Sequence, residues 1–393
     1  MKINENYLKL GGNYLFSEIA KRVEAYKKEN PQANIIKMGI GDVTLPLPKA
    51  CVNAMKEACD EMGRAETFRG YGPENGYAFL REKISESYLE HGVTISPEEI
   101  FVSDGAKCDL SNILDIFGQD NVALVPDPVY PVYVDTNVMD GREVICIDAN
   151  YENDFLPIPD ENIHADLIYI CSPNNPTGAV YTKEKLAMWV DYATRHDSII
   201  LFDAAYERFI SDDGLPCSIY EIEGAKNVAI EFCSFSKTAG FTGTRCGYAV
   251  LPDTLVRGGV KLSDMWHRRQ STKYNGTSYI IQKGACAVYS EEGKAEIKAN
   301  LDYYRRNAMV IANTMEELGI EYFGGKHSPY VFMRCPNGVS SWDFFTTLLT
   351  KANIVATPGS GFGKNGEGYI RFTAFSTYEN TVEAMARLKK ILS

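Results

Sequence analysis

The sequence predicts an α/β protein. A large domain holds a mostly parallel central sheet flanked by helices, and a smaller α+β domain is assembled from the N- and C-terminal segments. Two observations carry this. Between about residue 35 and residue 285, short β-branched or apolar runs alternate with longer stretches of helical period, the pattern of βα units. From about residue 291 the text changes to one long charged helix, a few short strands and a final helix. The expected division is 1–38 as an N-terminal segment packing with the small domain, 39–290 as the large domain and 291–393 as the small C-terminal domain.

The first expected helix runs from Leu15 to Lys28, ahead of the alternating region. Seven strands are expected within it: Ile100 to Val102, Val122 to Val125, Val144 to Ile147, Leu167 to Cys171, Ile199 to Phe202, Val228 to Phe232 and Tyr248 to Leu251. Each is followed by a turn-forming or polar residue. Leu80, Ile84 and Tyr88 recur at helical spacing before the stop at Gly92, and Leu186, Val190 and Ala193 do so after a Thr182 cap. The C-terminal region should hold a helix from Ala295 to Leu318, strands around Tyr330 to Met333, Ile354 to Thr357 and Tyr369 to Thr373, and a helix ending at Leu392.

Composition narrows the class. With 45% apolar and 23% charged residues the 393-residue chain is ordinary for a folded globular protein, which argues against disorder and coiled coil. Its 40 basic and 52 acidic residues give a net charge of −12, so no broad basic footprint for nucleic acid or anionic lipid is expected. Ten cysteines without a C-x-x-C pair, and five histidines outside zinc spacings, argue against structural zinc and a disulfide framework. Unpaired thiols fit a reducing compartment. With no signal-like N-terminus and no membrane-length apolar run, the expectation is a cytoplasmic protein without membrane contact.

The chemistry concentrates in Ser234-Phe235-Ser236-Lys237-Thr238-Ala239-Gly240-Phe241-Thr242-Gly243-Thr244-Arg245, just past an apolar strand. Open α/β sheets bind ligands at such strand ends. A lysine there, partly desolvated and near another cation, can form a Schiff base with an aldehyde. The hydroxyls of Ser234 and Ser236 together with Arg245 suit a phosphate. An aldehyde bearing a phosphate describes pyridoxal 5′-phosphate; the plainer reading of Lys237 alone is a surface loop lysine.

Its neighbours strengthen the first reading. Ser172-Pro173-Asn174-Asn175-Pro176-Thr177-Gly178 ends one strand and Phe202-Asp203-Ala204-Ala205-Tyr206 the next, which puts Asn175, Asp203 and Lys237 at one sheet edge. Asp203 is the candidate acid against a pyridine nitrogen, since the protonated ring is the electron sink; alone, a post-strand aspartate is more commonly a turn or cap residue. Asn175 and Tyr206 are candidate donors to the cofactor's phenolic oxygen. In Val102-Ser103-Asp104-Gly105-Ala106-Lys107 the chain passes from strand to a helix beginning near Ala106, a candidate phosphate cradle of Gly105, Ala106 and Lys107 in which Gly105 lets the backbone approach the anion; alone the segment reads as a routine βα turn. Tyr130 is placed to stack on the ring or to serve as core. Arg371 lies in an apolar strand and needs an anion, for which a substrate α-carboxylate is the candidate.

The ordered set N-N-P-T-G, D-x-x-Y, S-x-S-K with an arginine eight residues on, and a C-terminal strand arginine resembles the fold type I pyridoxal-phosphate aminotransferases over essentially the whole chain. Within that group, the text from Gly11 through Tyr14 to Ile19, Gly39-Ile40-Gly41-Asp42-Val43-Thr44-Leu45-Pro46, Gly70-Tyr71-Gly72-Pro73-Glu74-Asn75-Gly76 and Ser103 to Lys107 is similar to the LL-diaminopimelate aminotransferases. The resemblance implies a ping-pong reaction through a Schiff base on Lys237, interconverting LL-diaminopimelate plus 2-oxoglutarate with tetrahydrodipicolinate plus glutamate, in lysine and peptidoglycan-precursor biosynthesis. It implies a homodimer with shared active sites, Tyr14, Tyr71, Glu74 and Asn275 matching positions that contact the neighbouring subunit's site. It also implies substrate contacts from Gly41, Lys107, Tyr130, Asn175 and Arg371. Lys107 and Glu74 carry the two signs of charge that the zwitterionic distal end of diaminopimelate requires.

Alternatives at this stage are an aminotransferase for aromatic or small neutral amino acids, and a pyridoxal-phosphate C–S lyase, which share the cofactor residues. A ligand-sensing transcription regulator of the same fold would need a DNA-binding module, for which the text before Tyr14 leaves no room.

Overall fold

The computed structural model describes residues 1–10 and 15–392. Its centre is a seven-stranded sheet. In spatial order the strands are Ile100–Ser103, Gly247–Val250, Ala229–Ser234, Ile199–Asp203, Leu167–Cys171, Ala123–Asp127 and Val144–Asp148. All run parallel except Gly247–Val250, which is antiparallel to both neighbours. Each expected strand is present, Leu167–Cys171 with the expected ends and the others with ends moved by up to two residues.

The inner strands are buried on both faces, which is why their sequences read as unbroken apolar runs. The two-residue side-chain period then divides them between two cores. Ile168, Ile170, Ile200 and Phe202 pack on one face with the helices Ala78–Leu89 and Lys183–His196, while Leu167, Tyr169, Ile199 and Leu201 pack on the other with Tyr133 and Trp266. The Thr182 cap is formed, its hydroxyl accepting from Lys185 N.

A four-stranded antiparallel sheet, Tyr322–Gly324, Tyr330–Arg334, Tyr369–Thr373 and Thr357–Pro358 in spatial order, forms a separate layer. Leu15 and Ile19 of the helix Leu15–Glu29, with Ile36 and Met38, pack into its core beside the final helix Tyr378–Leu392. The long helix starts at Glu291, four residues earlier than its apolar period suggests, because Ser290 Oγ accepts from Gly293 N and caps it there. Ile297, Leu301 and Tyr304 of this helix belong to the large core and Ile311 and Met315 to the small one. The strand expected over Ile354 to Thr357 is instead two pieces. Ile354–Val355 pairs parallel with Ile36–Lys37, and after Ala356 the chain changes partners so that Thr357–Pro358 pairs with Arg371 and Ile370. Among the described residues no helix is long and apolar enough to cross a membrane.

Candidate active site

The C-terminal ends of the parallel strands open into a cavity of about 940 Å³. Pairing of Cys171 with Asp203 and of Asp203 with Phe232 leaves the third strand projecting two residues further, to Ser234, so that this residue and the segments after the three strands deliver Asn175, Tyr206, Ser234, Ser236 and Lys237 to one place. Ala106, Lys107, Tyr130, Arg245, Gly41 and Arg371 line the same cavity.

Gly247 brings the two halves of the expected phosphate site together. It pairs with Ser103 on one side and Ser234 on the other, and a Cβ there would lie 2.8 Å from Gly105 Cα and 3.0 Å from Ala106 N. Only glycine lets the turn before the helix Ala106–Asn112 sit against the Ser234 loop. Gly105 itself has φ +127° and points its missing Cβ at Arg245 Nη2, 2.5 Å away. Arg245 Nη1 donates to Ser236 Oγ at 3.1 Å, and Ser234 Oγ accepts from Ser236 N. A guanidinium, a hydroxyl and a helix N-terminus thus meet around space that a side chain would fill, which fits a phosphate.

Lys237 lines the cavity with its ammonium 6.0 Å from the centre of the Phe375 ring. Burial pushes its amine down to about 8, the charges of Arg245 and Arg371 push the same way, and Asp42 opposes them. About a tenth of it is therefore neutral and nucleophilic at pH 7, far more than an ordinary lysine offers. Asp203 is buried. Its Oδ1 accepts from Ala205 N at 3.0 Å and its Oδ2 from the Tyr133 hydroxyl, yet burial still holds the carboxyl above the usual range. A cation laid against it would relieve that cost, which fits a pyridinium nitrogen.

Arg371 is 1% exposed. Its Nη1 donates to Asn175 Oδ1 at 2.5 Å and its Nη2 to Gly39 O at 2.6 Å, and Tyr330 stacks 4.5 Å from the guanidinium carbon. A guanidinium only donates, so the Asn175 amide must turn its oxygen to Arg371, leaving its NH2 for the cavity. The Tyr206 and Tyr330 hydroxyls are 2.7 Å apart, and burial raises both above the ordinary phenol range. They share one hydrogen bond, so one O–H stays available as a donor. Gly41 is required beside them, since a Cβ there would stand 2.8 Å from Tyr330 Oη.

Tyr71, Glu74 and Asn275 lie outside the cavity of their own chain. Tyr71 is 91% exposed, Asn275 is exposed with φ +73°, and the adjoining Gly276 sits against Pro73 and Glu74. Tyr14 lies outside the described residues. Sequence reasoning missed Tyr133, Tyr330, the Gly39 carbonyl and Thr357, whose hydroxyl donates to that carbonyl at 2.7 Å. No local signal marks them, because each acts through a partner distant in sequence. It also missed a gathering of His91, Cys217 and Glu221, whose ligand atoms fall within 4.8 Å of one another. There the Glu221 carboxylate is already taken up by Cys217 N and Lys183 Nζ.

This fold with this site defines the class I and II aminotransferases: the profile of that family matches residues 33–388, and the chain belongs to it. Within the family it stands among the LL-diaminopimelate aminotransferases. It is 55% identical to the enzyme of that name from Methanosphaera stadtmanae, over 100% of this chain and 99% of that one. It is also 55% identical to the one from Prochlorococcus marinus, over the full length of both. The solved L,L-diaminopimelate aminotransferase of Chlamydomonas reinhardtii superposes with a TM-score of 0.94 at 42% identity, covering 100% of this chain and 99% of that one.

Proposed function

We propose that the chain binds pyridoxal 5′-phosphate and catalyses amino transfer between LL-diaminopimelate with 2-oxoglutarate and tetrahydrodipicolinate with glutamate. The observation that supports this most is the convergence of Lys237, Asp203, Arg245 and Arg371 on one cavity, in a chain matching LL-diaminopimelate aminotransferases from end to end. When bound, the cofactor supplies a carbonyl for the substrate amine and an electron sink for the pair left behind when the Cα proton departs.

The protein's own groups do the rest. Ser234, Ser236, Arg245 and the Gly105 turn hold the phosphate end, with Ala106 and Lys107 at the helix start. Asp203 keeps the ring nitrogen protonated, and Tyr133 in turn holds Asp203. Asn175 and Tyr206 donate from the opposite side, and Tyr130 covers the ring face. Lys237, with its amine lining the cavity, would take the Cα proton as general base and return it as general acid. Arg371 binds the α-carboxylate in both half-reactions, fixing which bond at Cα faces Lys237.

The distal zwitterion is assigned to Lys107 and, across a homodimer interface, to Glu74, with Tyr14, Tyr71 and Asn275 at the same junction. The exposure of Tyr71 and Asn275 in the single chain supports that placement. The division at 1–38, 39–290 and 291–393 is proposed with it.

The experiment is a half-reaction. Cofactor-loaded protein is mixed with LL-diaminopimelate, glutamate, alanine or tyrosine, without oxo acid, and the cofactor absorbance is followed. Fast conversion with the first two alone is expected. Conversion by alanine or tyrosine in their place would move the activity to another aminotransferase, and no cofactor band would end the assignment.

A further inference from the structure

The cavity is charged against the grain of the molecule. The whole chain carries 40 basic and 52 acidic residues, yet the cavity is lined by six basic residues, Lys27, Lys37, Lys107, Lys237, Arg245 and Arg371, against Glu24, Asp42 and Asp203. The proposed reaction gives work to four of the six. Lys27 and Lys37 are left over, and both are exposed, so they stand at the rim.

Their placement follows from local structure. Phe16, Ile19, Ala20, Val23, Glu24 and Lys27 recur once per turn on one face of the helix Leu15–Glu29, and that face lines the cavity. Lys37 is the outward residue of a two-residue strand whose Ile36 points inward. Among the described residues neither lysine has a carboxylate within 4.0 Å, while Glu24, the acid beside them, is engaged by Lys28 at 2.9 Å. Phe16 touches Arg371, 5.9 Å from ring centre to guanidinium carbon. At 1.5 Å rise per residue, Lys27 is roughly 16 Å further along the helix. A substrate carboxylate seated on Arg371 leaves its other end well short of Lys27, and Lys37 turns outward, on the exposed side of the strand that buries Ile36.

We propose that Lys27 and Lys37 form an electrostatic entrance that captures dianionic oxo acids from solution, offsetting the repulsion of an acidic protein. This rests on the proposed reaction for the identity of the oxo acid. An entrance of this kind accelerates encounter and leaves the bound chemistry unchanged. Its effect is graded by substrate charge: largest for 2-oxoglutarate with two negative charges, smaller for glutamate with one, and near nil for LL-diaminopimelate, whose charges cancel.

The test is stopped-flow of the two half-reactions with wild type, Lys27→Glu/Lys37→Glu, and a control double variant at exposed lysines outside the cavity, Lys298→Glu/Lys326→Glu. At low ionic strength the entrance variant should lose about tenfold in the second-order rate constant for 2-oxoglutarate, less for glutamate and under about twofold for LL-diaminopimelate, with limiting first-order rates unchanged. The difference should fade at ~1 M salt, where the Debye length is about 3 Å. Equal losses for all three substrates, a fall in limiting rate, or the same loss in the control would overturn the proposal. Wild type failing to react with LL-diaminopimelate would instead overturn the reaction assignment, while the charge ranking could still be read with glutamate and 2-oxoglutarate.

Discussion

Arg371 Nη1 and Asn175 Oδ1 lie 2.5 Å apart, although they are 196 positions apart in sequence, one in a strand of the four-stranded sheet and the other in a turn at the end of the seven-stranded one. The bond ties the proposed carboxylate site to the proposed cofactor site. It aims the guanidinium and fixes which end of the amide faces the cavity.

Replacing Asn175 separates these effects. Asn175→Ala should lower kcat/KM for both amino acids about tenfold, the scale of one hydrogen bond to a charged group. Asn175→Asp keeps the shape but gives Arg371 a buried counter-ion in place of substrate, so it should lose about a hundredfold or more despite being nearly isosteric. Steady-state kinetics on the two variants decide this, and equal losses would show that the amide only fills space.

Lys237 should report its burial through pH. Its amine titrates near 8, against 10.5 ordinarily, so binding of pyridoxal phosphate by apoprotein should quicken as pH rises and level off above about 8. Asp42→Asn removes the one charge that favours the ammonium and should shift that midpoint lower. The folded state resists protonation that the unfolded chain accepts, so wild-type apoprotein gains stability as pH rises from about 8 to 10.5. Lys237→Met should therefore be more stable than wild type at pH 7, the gap closing over that window, as thermal melts of the two apoproteins would record.

Asp203 and Tyr133 should act as a unit of unequal parts. Asp203→Asn abolishes the charge that holds a ring nitrogen protonated and should reduce kcat by ~10²-fold or more. Tyr133→Phe removes one donor, raises the Asp203 carboxyl further and should cost about tenfold. A double variant no worse than Asp203→Asn alone would show that Tyr133 works through the aspartate; additive losses would refute it.

Gly105→Ala should loosen the cofactor more than the fold. The new Cβ falls 2.5 Å from Arg245 Nη2, so the guanidinium must leave its place beside Ser236. Cofactor release measured by dialysis should accelerate at least about tenfold, the loss expected from a displaced charged hydrogen bond. Gly92→Ala, also at positive φ but facing open space, should show only the backbone cost in stability and normal cofactor retention.

Shared active sites can be read by complementation. If Tyr71 serves a neighbouring subunit, Tyr71→Ala and Lys237→Ala proteins, each inactive alone, should recover roughly a quarter of wild-type activity when refolded together one to one, because half the dimers are mixed and each has one intact site. No recovery would confine Tyr71 to its own chain.

The sequence by itself determined the sheet and most of the chemistry within it. Strands such as Leu167–Cys171 and Ile199–Asp203 are legible because burial on both faces demands continuous apolar residues, and the groups at or just past the strand ends, Asn175, Asp203 and Lys237, are placed by chain direction alone. Tertiary structure decided what approaches those ends from elsewhere. Tyr133 against Asp203, Tyr330 against Tyr206, the Gly39 carbonyl against Arg371 and the change of partner at Ala356 are pairings between segments distant in sequence. A hydrogen bond across such a distance leaves no period or spacing behind, since either partner alone is an ordinary tyrosine, glycine or alanine. The same holds for Lys27 and Lys37, which read as solvent lysines until the helix and strand that carry them are folded onto one rim.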